Sequence, residues 1–418
     1  MKNKAILLLS LMTISLCKGY SQWIPAKKHI MSKSHQSTMA TPHQDFHPTM
    51  PKPNRTVVLQ EDFEGVTDAL PATVPGLWTT NQVLDNTNIT TTAAFKIYDA
   101  TAANTGGYWP VPSTSPVNKF AGANDDPEPC DCDLMNAWLE SPILDFTGLS
   151  HLALYFDYFH DQNFGAGAAK IAISVDSGAT FSVIPLQPND TITDLHVDEA
   201  YWQNAIVPLT AFDNMNNIQI RFQWSDNGQW ASGYAVDNVV VQEMDALDLV
   251  TNKVVFGNWD NPTVSGGLLD YKKIPLNQTS PIQATAIITN GGFDPQTDPL
   301  VSFACSQNFV NYGPFTTPTS ITLNSLEKDT VTNTTSFTPT ELGVVTLYGS
   351  VSTGVDETNM VNNMTTNYLE ITESEYARDN EVCQLFYGNA TVYEFGNLFD
   401  IYQDDALGAI EVALRYGT

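Results

Sequence analysis

The sequence is poor in positive charge, in cysteine and in long apolar runs. Lys and Arg together number 18 against 46 Asp and Glu in 418 residues. Eight of those 18 precede residue 56, where Asp45 is the lone acid, so residues 56–418 carry 10 basic and 45 acidic side chains. A body with a balance of −35 repels nucleic acid and anionic membrane, which excludes both as partners. Only residues 5–16, "AILLLSLMTISL", form an extended apolar stretch. Twelve residues fall short of the ~20 that a spanning helix needs. They follow Lys2 and Lys4 and precede Gly19 and Ser21, which is the layout of a secretory signal peptide over residues 1–21, cleaved before Gln22. No later run approaches about 18 apolar residues, so no direct membrane insertion of the mature chain is expected. Catalytic signatures are lacking too: there is no HExxH, no GxSxG and no P-loop. "GAGAA" (165–169) lies between two strand patterns and is expected to be a hairpin connection. His196 and Glu199 share a polar loop and make a weak metal pair. These absences favour binding or structural modules over an enzyme.

What is present is Thr, Asn, Val and aromatic residues with few helix formers, the composition of an all-β chain. Residues 22–56 carry His29, His35, His43, His47 and several prolines without periodicity and are expected to be a disordered leader or linker. Residues 57–243 show period-2 strands. Ile218, Ile220, Phe222 and Trp224 alternate with polar residues; Leu152, Leu154, Phe156 and Tyr158 share one face of a strand, as do Ile171, Ile173 and Val175. Such strands joined by Gly/Asn/Asp turns predict a β-sandwich. Residues 244–372 repeat the pattern with Asn/Thr-rich turns. Residues 373–418 are expected to open a third β domain, too short by itself for a stable core.

The ordered motifs "EDFEG" (61–65), Trp78, "WLESPILDFTGLSHLALYFDY" (138–158), "ISVDSGATF" and "YAVDNVVV" (234–241) resemble the cleaved-adhesin, MAM-like jelly-roll family, of the choice-of-anchor type. Such modules occur in cell-surface proteins exported by the type IX system of Gram-negative bacteria. "ITNGG" and Asn362-Asn363 in the next segment resemble an Ig-like, cell-adhesion-related bacterial domain. The resemblances imply an all-β architecture: a jelly-roll sandwich over 57–243, an Ig-like sandwich over 244–372 and the start of a third β domain over 373–418.

A jelly roll commonly sets its first and last strands side by side, which would bring Glu64 to Asp237 with Asp62 nearby. Paired acids repel unless a hard cation joins them, and modules resembling this one often carry a structural calcium. The loop "NDDPEPCDCD" (124–133) offers a second calcium set in Asp125, Asp126, Asp131 and Asp133. Its Cys130 and Cys132 form either a disulfide closed over one residue or two free thiols. Zinc needs about four ligands, and two thiols without a nearby histidine do not supply them. Cys305 falls in a strand pattern and is expected to be a buried free thiol. Trp138 and Trp224 are expected in the core. Trp109 and Trp230, in loops, are candidates for stacking on a sugar ring.

The functional expectation is a secreted or cell-surface, non-catalytic adhesion protein whose calcium-stabilised jelly roll binds an extracellular glycan or protein, with the second domain as a spacer. The rival readings are accessory domains of a larger exported hydrolase and a structural matrix component.

Overall fold

The computed structural model describes residues 4–6, 49–51, 54–84, 94–105, 109, 111–112, 118–124, 134–161, 167–186, 191–195, 202–227, 231–257, 271–355, 357, 360–377 and 398–409. The chain is all-β. Among the described residues one α-helix occurs, the single turn Ala100–Ala103 (α1). Lys4–Ile6 (β1) pairs antiparallel with Leu398–Asp400 (β23), outside the two sandwiches.

The first sandwich has two sheets. One places Gln203–Pro208 (β10), Leu152–Asp161 (β7), Gly233–Glu243 (β12), Lys119–Asn124 (β5) and Lys96–Asp99 (β4) in that order, with Val57–Glu61 (β2) also paired to β12. The other runs Thr79–Leu84 (β3), Leu134–Glu140 (β6), Gln219–Ser225 (β11), Ala168–Ser174 (β8) and Ser182–Val183 (β9). Alternation in β11 sends Ile220, Phe222 and Trp224 inward, each fully buried, while Gln219, Arg221 and Gln223 face out. Between the sheets Phe222 meets Phe156 edge to face at 5.1 Å, and Trp78 lies between Phe63 and Phe222. Offset and T-shaped pairs of this kind add to the area these rings remove from water.

The sheet carrying β12 is covered on both faces. Tyr98, Trp109, Phe120, Phe159 and Trp202 form a second apolar layer on its outer side. That is why β12 reads "YAVDNVVV" with almost no exposed position: a strand covered on both sides needs near-continuous apolar sequence. Three expectations change here. Val175 is exposed beyond the end of β8. Trp138 is not core: its face of β6 points outward, and the Arg221 guanidinium sits 4.7 Å over its ring. β7 and β8, on either side of the "GAGAA" motif, belong to different sheets, so they do not pair as the expected hairpin.

The second sandwich sets Leu249–Phe256 (β13), Ala284–Asn290 (β15) and Lys328–Thr332 (β20) against a five-stranded sheet. That sheet runs Lys273–Pro275 (β14), Met364–Thr372 (β22), Gly343–Ser352 (β21), Leu300–Gln307 (β17) and Val310–Pro318 (β18). A short ribbon joins Gln296–Thr297 (β16) to Thr322–Leu323 (β19). Leu249, Ile288, Phe303, Cys305, Leu347 and Leu369 fill the interior. Cys305 is a buried free thiol, as expected. Described parts of residues 373–418 contact this sandwich: Ala377 O accepts from Lys272 N and Lys273 N, and Gln278 Oε1 accepts from Tyr402 N and Gln403 N.

The two sandwiches meet across the chain from 244 to 248. Met244 N donates to His151 O, Phe293 N to Asp245 O, Asp294 N to Ala246 O and Gly291 N to Asp248 O. Arg55 Nε donates to the buried Asp245 carboxylate at 2.8 Å, and its Nη2 reaches the same oxygen. Ala153, Tyr155, Val240 and Met244 of the first unit enclose Leu326 of the second, with Phe293 against them. The expected spacer is therefore joined by an apolar seam.

Candidate functional site

Strand β12 changes partner along its length. Gly233–Val236 pair with β5, and Val239–Gln242 pair with β2. The first and last strands of the unit do lie side by side. Between the two stretches the register against β7 slips, and Asn238 takes φ +48. A bulge of this kind re-aims side chains and interrupts pairing. It leaves a gap between the end of β2 and the start of β5, and Asp237 lies there.

Asp237 is 3% exposed, and Asp157, its register partner on β7, is 1% exposed. Both belong to the outer face of the sheet, opposite the core residues Phe156, Tyr158 and Val236. Asp157 is surrounded by donors. Thr49 Oγ1 and Asn204 Nδ2 donate to Oδ1 at 2.5 and 2.6 Å; Thr49 N and Asn238 Nδ2 donate to Oδ2 at 3.0 and 2.8 Å. Asp237 receives one donor per oxygen, Asn238 N at 2.8 Å and Asn118 Nδ2 at 3.0 Å. Glu64 closes the gap from below: its Oε1 accepts from Lys119 N at 2.9 Å. The Lys119 ammonium turns to the Glu64 and Val66 carbonyls, at 3.2 and 2.7 Å, and not to the carboxylates.

Burial drives the electrostatics. It pushes the Asp237 carboxyl up to about 8, against the pull of hydrogen bonds from Asn118 and Asn238, and the charges of Asp157 and Glu64 push the same way. Burial likewise raises Asp157 to about 6, with the Thr49, Asn238 and Asn204 hydrogen bonds opposing it. Two acids this close and this dry hold a proton near neutrality unless a cation takes its place.

Of the expected ligands, Glu64 and Asp237 come together and Asp62 does not. Phe63 takes φ +54 and drops its ring, fully buried, into the core. This turns the motif out of the strand. The exposed Asp62 caps the turn, accepting from Glu64 N at 3.1 Å, while Glu61 accepts from Phe63 N and Trp78 Nε1. Strand alternation would put Asp62 and Glu64 on one face; the left-handed residue between them separates them.

Asp157 was the member missed. The signal lay in "YFDYFH", a carboxylate in the midst of an apolar strand whose other face also proves buried. Thr49 was missed as well, because it falls in the stretch 22–56 expected to be a disordered leader or linker; its backbone N and Oγ1 donate to Asp157. Among the described residues no three His, Cys, Asp or Glu side chains form a metal-binding group. Any cation here would therefore rest on Asp237 and Glu64 with amide, carbonyl or water oxygens.

Trp109 is not a stacking surface. It is 1% exposed, edge-on to Tyr98 and Phe120, at 5.7 and 6.0 Å between ring centres. Its ring lies on bare backbone: a Cβ on Gly122 would stand 2.5 Å from it, and one on Gly233 2.7 Å. Trp230, Cys130, Cys132, Asp125, Asp126, Asp131 and Asp133 lie outside the described residues, as do His196 and Glu199. His160 is buried, accepts from Trp224 Nε1 at 3.3 Å through Nε2 and meets Leu195 O at 2.8 Å through Nδ1, so it is the Nδ1–H tautomer in a structural role.

No family model and no curated protein matches the chain. Solved structures do. The CARDB domain of the PF1109 protein from Pyrococcus furiosus, in complex with di-metal ions, is 17% identical, covering 31% of this chain and 91% of that one, with a TM-score of 0.22. The K1 cleaved adhesin domain of Lys-gingipain from Porphyromonas gingivalis W83 is 14% identical over 44% of this chain and 98% of that one, with a TM-score of 0.28. A β-glucuronidase of Bacteroides uniformis is 10% identical over 70% of this chain and 32% of that one, with a TM-score of 0.34.

Proposed function

We propose that the chain is an exported surface protein that binds an extracellular glycan or protein without catalysing a reaction, and that calcium braces its first sandwich. The observation that supports the brace is the buried Asp157–Asp237 pair, with Glu64 at the gap between β2 and β5. Two dry carboxyls flanked by a third acid, with the Lys119 ammonium turned to backbone carbonyls, favour a hard divalent cation. Glu64 and Asp237 are its protein ligands, and neutral oxygens complete the shell of about six to eight that calcium takes. Such an ion would fasten the first strand, the last strand and β5 at the point where β12 changes partner. The strongly acidic body suits life outside the cell, where calcium is plentiful. Among the described residues no helix is long and apolar enough to cross a membrane. Removal of residues 1–21 on export would release the β1–β23 ladder. Trp230 and the acidic loop 124–133 remain candidates for ligand contact and for a further ion.

The test uses the mature chain from residue 22. Metal-stripped protein should bind calcium in titration calorimetry, and binding to the folded state alone should raise its stability by about 2.7 kcal/mol at a hundred times the dissociation constant. Arrays of glycans and of extracellular matrix proteins should then show saturable binding that chelator weakens. Turnover of any arrayed glycan or peptide would replace the binding reading with an enzymatic one. An absence of calcium binding would remove the brace.

A further inference from the structure

The loop between β21 and β22 and the start of β13 gather oxygen atoms that lack hydrogen-bond partners. Thr353 Oγ1, Asn362 Oδ1 and Asn363 Oδ1 are all buried, and none has a donor. Asn363 is 9% exposed. The orientation of both amides is fixed by their nitrogens. Asn363 Nδ2 donates to Glu357 Oε2 at 3.1 Å and to Val351 O at 3.2 Å; Asn362 Nδ2 donates to Asp248 Oδ1 at 2.9 Å. The two orphaned amide oxygens are thus each one amide width from a carboxylate that the same side chain touches, and the Thr353 hydroxyl lies in the same loop.

The backbone holds these groups in register. Glu357 Oε2 also accepts from Leu249 N at 2.9 Å, which ties the loop to β13. Thr251 N donates to Asn362 O, and Thr251 Oγ1 to Asn363 O at 2.6 Å. Asp248, 2% exposed, is the last residue of the seam between the sandwiches. Burying an oxygen without a partner costs about 1–3 kcal/mol, and three in one loop are an unusual concentration. Flipping either amide to satisfy its oxygen would set that oxygen against a carboxylate.

We infer that Asp248, Thr353, Glu357, Asn362 and Asn363 form a binding site for a hard divalent cation of the size of calcium, separate from the Asp237 site. The chemistry selects the class of ion. All five donors are oxygens, which disfavours zinc. Two carboxylates match a double charge. Five side chains supply most of the shell of about six to eight oxygens that calcium accepts, and water supplies the rest. Magnesium keeps its water and a strict octahedron, and fits a crowded amide set poorly. The ion fastens the loop to Asp248 and so stiffens the junction where the second sandwich leaves the first.

The test is calcium titration of metal-stripped mature protein in the Asp237→Asn background, where the first site is disabled. At least one equivalent of calcium should still bind. Glu357→Gln, which keeps an acceptor for Leu249 N, should weaken that binding ~tenfold or more, because site charge sets affinity. Thr353→Val, which removes one hydroxyl and spares the carboxylates, should weaken it measurably while the circular dichroism spectrum stays unchanged. Magnesium at equal concentration should not compete. Undiminished binding in both Glu357→Gln and Thr353→Val would overturn the site, as would an absence of binding in the Asp237→Asn parent, which would leave these oxygens to ordered water.

Discussion

Asp157 and Asp237 stand opposite each other on β7 and β12, at paired register positions, with both carboxyls almost fully buried. Strand neighbours of like charge ordinarily repel. Here the bulge after Asp237 and six donor groups, from Thr49, Asn118, Asn204 and Asn238, hold them in place. Removal of one negative charge, by a proton or by a cation, stabilises the arrangement.

The pH dependence follows. Both carboxyls have folded-state values above the unfolded value of about 4. Metal-free protein therefore holds protons that the unfolded chain has released. The stability this contributes is fully present below about pH 4 and is lost as pH rises through about 6 for Asp157 and about 8 for Asp237. Thermal unfolding in chelator should show Tm falling between pH 5 and 8.5. Saturating calcium should flatten that slope, and binding at pH 7 should release a proton. Asp237→Asn removes the charge and should stabilise metal-free protein at pH 8 by on the order of 2 kcal/mol, while losing the calcium response of this site. A metal-free Tm that climbs with pH over this range would refute the burial of the pair.

Trp109 sets the second expectation. Gly122 and Gly233 leave room for its indole, and Gly233 holds φ +158. Gly122→Ala should displace the ring and cost about 1–3 kcal/mol as overpacking. Trp109→Ala should cost about 3–5 kcal/mol, because the ring is enclosed by Tyr98 and Phe120. Glycan binding by Gly122→Ala, once folded, should match wild type. Urea unfolding measures the first two, and a loss of ligand affinity without loss of stability would return Trp109 to the binding surface.

The strands of the first sandwich were legible because alternation is a local property: Ile220, Phe222 and Trp224 announce a buried face without knowledge of their partners. Glu64 and Asp237 were legible because a jelly roll sets its end strands together. Asp157 was not, since the groups that close over its carboxylate, from Thr49, Asn204 and Asn238, are scattered across the chain. Trp138 misled for the converse reason. An aromatic in a strand pattern says nothing of which face it occupies, and Ala137 and Leu139 took the inward positions. Asp62 misled because one left-handed residue, Phe63, changes the direction of every side chain near it, and φ > 0 at phenylalanine has no sequence signature.

Cys305 lies 2% exposed in β17, and burial pushes its thiol up to about 12. Only the thiolate reacts readily. Native protein at pH 8 with iodoacetamide should leave Cys305 unmodified in peptide maps, and alkylation should become complete in denaturant. Modification at the same rate under both conditions would contradict its packing among Phe303, Leu347 and Val345.

The seam between the sandwiches gives the last expectation. His151 and Phe293 stack with ring centres 3.9 Å apart and planes 9° from parallel. Phe293 also leans on the cluster of Tyr155, Met244 and Leu326, and its backbone is tied to Asp245. Phe293→Ala removes the ring from both contacts but leaves each sandwich its own core. It should cost about 2–5 kcal/mol of coupling and little within either unit. Calorimetry should then resolve one unfolding transition into two, since the units no longer unfold together. Small-angle scattering should show a longer maximum dimension as the units part. His151→Ala should act in the same direction and more weakly, because His151 is exposed and contributes one face only. If Phe293→Ala lowers both Tm and the unfolding enthalpy while the trace remains a single peak, the ring supports the second core rather than the junction.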